Sequence, residues 1–247
     1  MQNHLIVLSY DGTDYHGWQK QPGRRTIQGA VEDTLARLAG TNIPIIGAGR
    51  TDAGVHALGQ AASFKAELRL DEAELLKAMN ALLPDDIRVS EVRRMPPSFH
   101  ALRDAKGKTY RYRICLARAI SPFDVRYALH WPYPLRVGPM RRAAALFVRE
   151  ADFSNFSSNR ERHPVRAVVR SELRRRGDEL VYTIEARGFL RYMVRTIVGT
   201  LIEVGRGRLA PGEIDRLFAE RSRTLASPTA PARGLCRCGG GPRPRVD

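Results

Sequence analysis

Cysteine is scarce in this chain of 247 residues: there are three, Cys115, Cys236 and Cys238. Three thiols build no disulfide framework, which excludes the small disulfide-stapled folds and fits a reducing compartment. Cys236 and Cys238 form a C-x-C with no second pair at zinc spacing, so no metal site is expected and the segment reads as a strand end. No apolar run approaches the ~20 residues needed to span a bilayer. The first eight residues lack a basic region ahead of their apolar stretch, so no signal peptide is expected and the cytoplasm is the expected location. Acidic residues are also few, 26 against 41 Lys and Arg, for a net charge of +15. Only five of the basic residues are lysines. Such a balance calls for a polyanionic partner, nucleic acid before membrane, because phosphates relieve the self-repulsion. With 43% hydrophobic residues the chain buries a real core, which excludes a disordered polypeptide.

Residues 5–10 form a short apolar run stopped by Asp11-Gly12 and read as a buried strand. Thr26 opens a helical stretch with Ile27, Val31, Leu35 and Leu38 on one face, and Gly40 stops it. Strands are expected at 43–47, 60–65 and 87–92, with a helix capped by Asp71 and ended by Pro84. From 108 to 116 Tyr110, Tyr112 and Ile114 alternate with Arg111, Arg113 and Cys115. Prolines at 122, 132, 134 and 139 mark a boundary or crossover. Beyond it the sequence predicts helices over 139–148, 190–204 and 212–219, and strands over 166–173, 180–187 and 234–238. The expected organisation is an N-terminal half (1–117), a crossover (118–138), a C-terminal half (139–238) and a flexible tail (239–247). Strands mixed with helices in two similar halves argue for an α+β fold with helices on one side of a largely antiparallel sheet.

Gly47-Ala48-Gly49-Arg50-Thr51-Asp52-Ala53-Gly54 lies between two predicted strands. It has neither the lysine of a phosphate loop nor the helix that follows a dinucleotide fingerprint. Its one carboxylate follows Arg50 by two residues, and an Arg–Asp pair keeps a carboxylate ionised and aimed for nucleophilic work. The same composition also suits an aspartate that merely closes a turn.

Gly49-Arg50-Thr51-Asp52-Ala53-Gly54-Val55-His56-Ala57-Leu58-Gly59-Gln60 resembles the signature of the tRNA pseudouridine synthase A family. Four further stretches resemble that family's motifs in order. They are Tyr10-Asp11-Gly12 through Gly17-Trp18-Gln19, Ser98-Phe99-His100-Ala101 with Lys108-Thr109-Tyr110-Arg111-Tyr112, Phe189-Leu190-Arg191-Tyr192-Met193-Val194-Arg195, and Ala230-Pro231-Ala232-Arg233-Gly234-Leu235. The resemblance implies two ferredoxin-like α+β halves that join their sheets around a basic cleft. It also implies isomerisation of uridine to pseudouridine in the anticodon stem-loop of tRNA, at positions 38 to 40, by a homodimer with no metal or organic cofactor. Asp52 would be the catalytic aspartate, Arg50 and Arg195 the partners of its charge, and Tyr110 the aromatic placed against the target base. A non-catalytic tRNA-binding module or RNA chaperone on the same fold is the alternative, against which Asp52, Arg50, Tyr110 and Arg195 speak.

The arginine-rich run at 160–176 has seven arginines against Glu161 and Glu172. Strand alternation predicts Arg166, Arg170 and Arg174 on one face, as a phosphate-contacting stripe. Lys20, Arg24 and Arg25, after the first strand, are further candidates for RNA contact. Three departures from the family pattern stand out: Leu102 before Arg103, His163 in the basic run, and the Cys236-Arg237-Cys238 end.

Overall fold

The computed structural model describes residues 1–158, 162–220 and 227–239. Arg160 and Glu161 of the basic run, and residues 240–247 of the expected tail, lie outside the described residues. The chain divides into two compact units, Met1–Lys106 with the C-terminal strand from Cys236 on, and Gly107–Leu235.

The first unit runs β1 (Gln2–Tyr10), α1 (Ile27–Ala39), β2 (Ile46–Gly47), β3 (His56–Ala66), α2 (Glu72–Leu82) and β4 (Ile87–Met95). β1 lies between β4 and β3, antiparallel to both, and the short β2 pairs with the far edge of β3. This is the β-α-β-β-α-β order of a ferredoxin-like sheet. The helices form for reasons visible in the sequence. Thr26 accepts the Gly29 amide at the start of α1, and Gly40 ends it in the left-handed conformation. Asp71 and Glu74 make a reciprocal capping box on α2. Ile27, Val31 and Leu35 of α1 and Leu75 and Met79 of α2 bury against Ile6, Leu8, Ala62 and Phe64 of the sheet. Leu5 and Ala61 point the other way, where Ala48, Ala101 and Ala105 cover them.

The second unit runs β5 (Lys108–Cys115), β6 (Leu129–His130), α3 (Val137–Ala145), β7 (Glu150–Asp152), β8 (Val165–Arg176), β9 (Glu179–Ala186), α4 (Met193–Gly205) and α5 (Glu213–Ala219). Its strands lie in the order β5-β9-β8-β7, all antiparallel, with β6 added parallel to β5. The proline-rich segment 118–138 falls within this unit. The apolar stripe read in α4 is buried as expected: Met193, Ile197, Val198, Leu201 and Ile202. The last strand, β10 (Leu235–Gly239), pairs in parallel with β3 of the first unit, Cys236 opposite His56 and Arg237 opposite Ala57. The architecture is α+β with mostly antiparallel strands.

Three expectations need correction. Only Ile46–Gly47 of the 43–47 segment is strand, because Ile43 and Ile45 plug the core while the chain passes the helix side. β3 starts at His56 rather than at residue 60, directly after the glycine loop. α4 starts at Met193 rather than at residue 190, because Tyr192 adopts φ 62°, which no continuing helix allows.

Candidate active site

The loop that carries Asp52 is fixed by the opening loop of the chain. The Trp18 amide donates to the Thr51 carbonyl at 3.0 Å, and the Gly54 amide donates to the Tyr15 carbonyl at 3.2 Å. The Tyr10 and Thr51 hydroxyls hydrogen-bond at 2.8 Å in the interior. A turn closed from the Val55 amide to the Asp52 carbonyl, 3.2 Å, lifts the aspartate between these anchors, with Gly54 at φ 76°. The glycines of the opening motif are required by this packing. A Cβ on Gly12 would stand 2.0 Å from the Val55 carbonyl oxygen, and one on Gly17, itself at φ +87°, 2.6 Å from that of Thr51. Gly47 leaves room for the Trp18 indole, 2.5 Å from where its Cβ would be.

Around this frame several polar groups are paired. His56 Nδ1 accepts the Gly12 amide at 3.1 Å and lies 3.1 Å from the Asp11 carboxylate. Gln60, wholly buried, donates its amide to the Gly49 carbonyl. Asp52 itself is half-buried, neither sealed in the core nor freely solvated. The expected Arg50–Asp52 pair does not form: Arg50 is exposed, and among the described residues no hydrogen bond or ion pair engages it. Its guanidinium stays in water, where an ion pair gains little.

In the second unit, Tyr110 and Tyr112 both face inward from β5, as the alternation predicts, and their surroundings separate them. Tyr112 is wholly buried and its hydroxyl donates to the Pro231 carbonyl at 2.8 Å. Its ring fills the space a Cβ on Gly234 would need. Burial holds its phenol well above the ordinary value, against the opposing charges of Arg195 and Arg233. Tyr112 is a core residue. Tyr110 retains 7% exposure, and its ring meets Phe189 edge-on at 5.2 Å.

Arg195 projects from the first turn of α4 and is half-buried. Its Nε donates to the Ala230 carbonyl at 2.7 Å, while the Ala230 amide donates to the Arg195 carbonyl at 3.1 Å. This reciprocal clamp ties the Ala230-Pro231 segment to the first turn of α4. Gly199, one turn on, lets the strap pass: its Cβ would stand 1.8 Å from the Pro228 carbonyl oxygen. The Arg195 guanidinium lies 4.8 Å from the centre of the Tyr192 ring. Sequence reasoning gave Tyr192 no role. The one available signal was the lack of Ser, Thr, Asp or Asn ahead of Met193, where a helix start prefers them.

The basic candidates are less free than their numbers suggest. Lys20 pairs with Glu32 at 3.1 Å, and Arg25 pairs with Asp86 at 2.9 Å while lying over the Tyr15 ring. The Tyr15 phenol is raised by burial and by its hydrogen bond to Asp86. Arg24 reaches His16 at 3.4 Å. On β8 a bulge between Val168 and Arg170 resets the alternation, so Arg166 falls on the face of Val168 and Ser171, while Arg170 and Arg174 lie on the other. The three therefore form no single stripe. Arg170 and Arg174 also share Glu172 between them, and both hold its carboxyl below the ordinary value despite its partial desolvation.

A family model described as tRNA pseudouridine synthase matches residues 6–102 and 143–239. Curated proteins named tRNA pseudouridine synthase A align along nearly the whole chain. That of Moorella thermoacetica is 45% identical over 235 residues, covering 94% of this chain and 96% of its own. That of Thermodesulfovibrio yellowstonii is 40% identical over 247 residues, covering 95% and 97%. That of Geobacillus kaustophilus is 42% identical over 232 residues, covering 93% and 90%. With a carboxylate loop framed by the opening motif and a family match over both units, the chain belongs to the tRNA pseudouridine synthase family.

Proposed function

We propose that this protein isomerises uridine to pseudouridine in the anticodon stem-loop of tRNA, at positions 38 to 40, with Asp52 as its catalytic carboxylate. The observation that carries the reading is the anchoring of the Asp52 loop, held by Trp18, Tyr10 and Tyr15 so that one half-buried carboxylate stands on a fixed turn. The chemistry asks for little more. The N1–C1′ bond breaks, the uracil turns over, C5 bonds to C1′, and the C5 proton leaves as N1 gains one. Substrate and product have the same composition, so no oxidant, reductant or group donor is consumed, and no metal or organic cofactor enters the proposal.

The remaining roles follow from local surroundings. Tyr110, braced by Phe189, is the ring that meets the extruded uracil; a base must leave its stack before a buried group can reach it. Arg195, clamped on Ala230, supplies the positive charge. The charge of +15 draws the tRNA. Arg24, Arg166, Arg170 and Arg174 contact phosphates, with Lys20 and Arg25 reaching them after exchanging Glu32 and Asp86. The protein works in the cytoplasm as a homodimer; no described helix is long and apolar enough to cross a membrane.

Tritium release from tRNA labelled at uridine C5 tests the reading. The wild type releases label and Asp52→Asn does not, while both bind tRNA comparably. Release by Asp52→Asn, free of wild-type protein, overturns the catalytic assignment; mapping of the product in single tRNAs tests positions 38 to 40.

A further inference from the structure

Tyr192 is the one described non-glycine residue with a positive φ, 62°, in the left-handed region. That conformation suits glycine or asparagine and is unfavourable for a bulky aromatic residue. Tyr192 also occupies the N-cap of α4 without making a side-chain cap. Neither backbone comfort nor helix capping accounts for a tyrosine here.

What the tyrosine does supply is a flat face. The Arg195 guanidinium lies 4.8 Å from its ring centre and that of Arg191 5.1 Å. The left-handed turn at 192 carries the ring back over the first turn of α4, where Arg195, three residues on, projects. The ring attracts the guanidinium by its negative face, and the Ala230 carbonyl holds the same group by its Nε. The ring on one side and the carbonyl at Nε each restrict the orientation of this long side chain.

We propose that Tyr192 is a positioning residue: its strained backbone is kept because it sets the plane of the Arg195 guanidinium. The inference rests on the reading above that Arg195 serves the reaction. Strain held at one residue near a functional group is a known trade of stability for geometry.

The test compares Tyr192→Gly, Tyr192→Asn and Tyr192→Phe with Arg195→Met, measuring melting temperature, tRNA affinity and single-turnover rate on one stem-loop. Glycine and asparagine accept the backbone and remove the ring. Both are expected to melt at or above the wild-type temperature, to bind tRNA within about threefold, and to lose roughly ten- to a hundredfold in rate, the scale of a small misplacement. Phenylalanine keeps the ring and should hold the rate within about twofold. A wild-type rate for Tyr192→Gly overturns the inference, as does a rate loss matched by a fall in melting temperature. So does a Phe variant as slow as the Gly variant, which would assign the effect to the hydroxyl. Arg195→Met separates the two readings. If it is inactive while Tyr192→Gly is normal, only the positioning role fails; if it is itself normal, the role of Arg195 fails first.

Discussion

The Thr51 carbonyl accepts the Trp18 amide at 3.0 Å, tying the residue before Asp52 to the loop that follows the first strand. Two motifs more than thirty residues apart thus form one piece of structure, and the glycines between their backbones set how closely they approach. Tyr10, at the end of β1, completes the tie through the Thr51 hydroxyl.

Removing that buried hydroxyl pair has a calculable cost. Tyr10→Phe and Thr51→Val should each lower stability by about 1 kcal/mol, with a coupling of roughly 0.5–1.5 kcal/mol in a double-mutant cycle. Gly12→Ala places a methyl group against the Val55 carbonyl and should cost about 1–3 kcal/mol. If the loop is a positioning device, turnover falls further than tRNA affinity in all three. Urea unfolding with single-turnover assays checks both parts.

How much of this was legible beforehand depends on the range of the interaction. Thr26, Gly40 and the Asp71–Glu74 box act on their own helices, and their sequence signatures sufficed. The inward alternation of Tyr110, Tyr112 and Ile114 was equally local. Arg25–Asp86 and Lys20–Glu32 were not legible, because nothing near Arg25 or Lys20 announces a carboxylate supplied by another element. The bulge at Val168 and Arg170 inserts one residue and moves Arg166 to the opposite face, which a strict period of two cannot foresee. Asp52 was recognised by its motif; its anchoring by Tyr10, Tyr15 and Trp18 required the fold.

Arg237 on β10 is wholly buried, and all three of its guanidinium nitrogens lack a hydrogen-bond partner among the described residues. An unpaired buried charge opposes folding, and an apolar side chain of similar length removes the penalty. Arg237→Leu or Arg237→Met should therefore stabilise the protein by about 1–4 kcal/mol, read as a higher urea midpoint at unchanged slope. A lower midpoint would show that the guanidinium has a partner in solution.

His4 is 2% exposed, stacks on Phe64 at 5.1 Å, and has no partner for either ring nitrogen among the described residues. Burial first, and the Arg94 charge second, lower its pKa from the ordinary 6.5. The unfolded chain thus binds a proton that the folded one resists. The contribution of His4 to stability is complete above about pH 6.5 and is lost as pH falls below it, by at most about 1.4 kcal/mol per pH unit for one proton. His4→Phe keeps the stacking and should remove that part of the slope. Identical pH profiles for variant and wild type between pH 5 and 7 would refute it.

Glu172 stands between Arg170 and Arg174 and offsets part of their charge. If this face meets phosphates, Glu172→Gln should tighten tRNA binding and steepen its salt dependence. Changing both arginines to Ala should make the log–log slope shallower by roughly 0.7–0.9 per lost contact. Equal slopes for all three proteins would place the RNA path elsewhere on the surface.

Tyr110 and Tyr112 share one face of β5 but differ in their surroundings. Tyr112 is committed to Pro231 and to the space beside Gly234, so Tyr112→Phe should cost about 1 kcal/mol of stability through the lost hydrogen bond. Its turnover should stay close to wild type. Tyr110 keeps 7% exposure and meets Phe189 edge-on at 5.2 Å, and the proposed function sets it against the extruded base. Tyr110→Leu removes that surface and, at ~1–3 kcal/mol for a base–aromatic contact, should lose about one to two orders of magnitude in single-turnover rate. Tyr110→Phe divides the remaining possibilities. Near-normal conversion means that stacking is the whole of its role; failure with the base rearranged but unreleased means that the hydroxyl also handles the C5 proton. The three variants are compared on one anticodon stem-loop, and a wild-type rate for Tyr110→Leu would remove this tyrosine from the site.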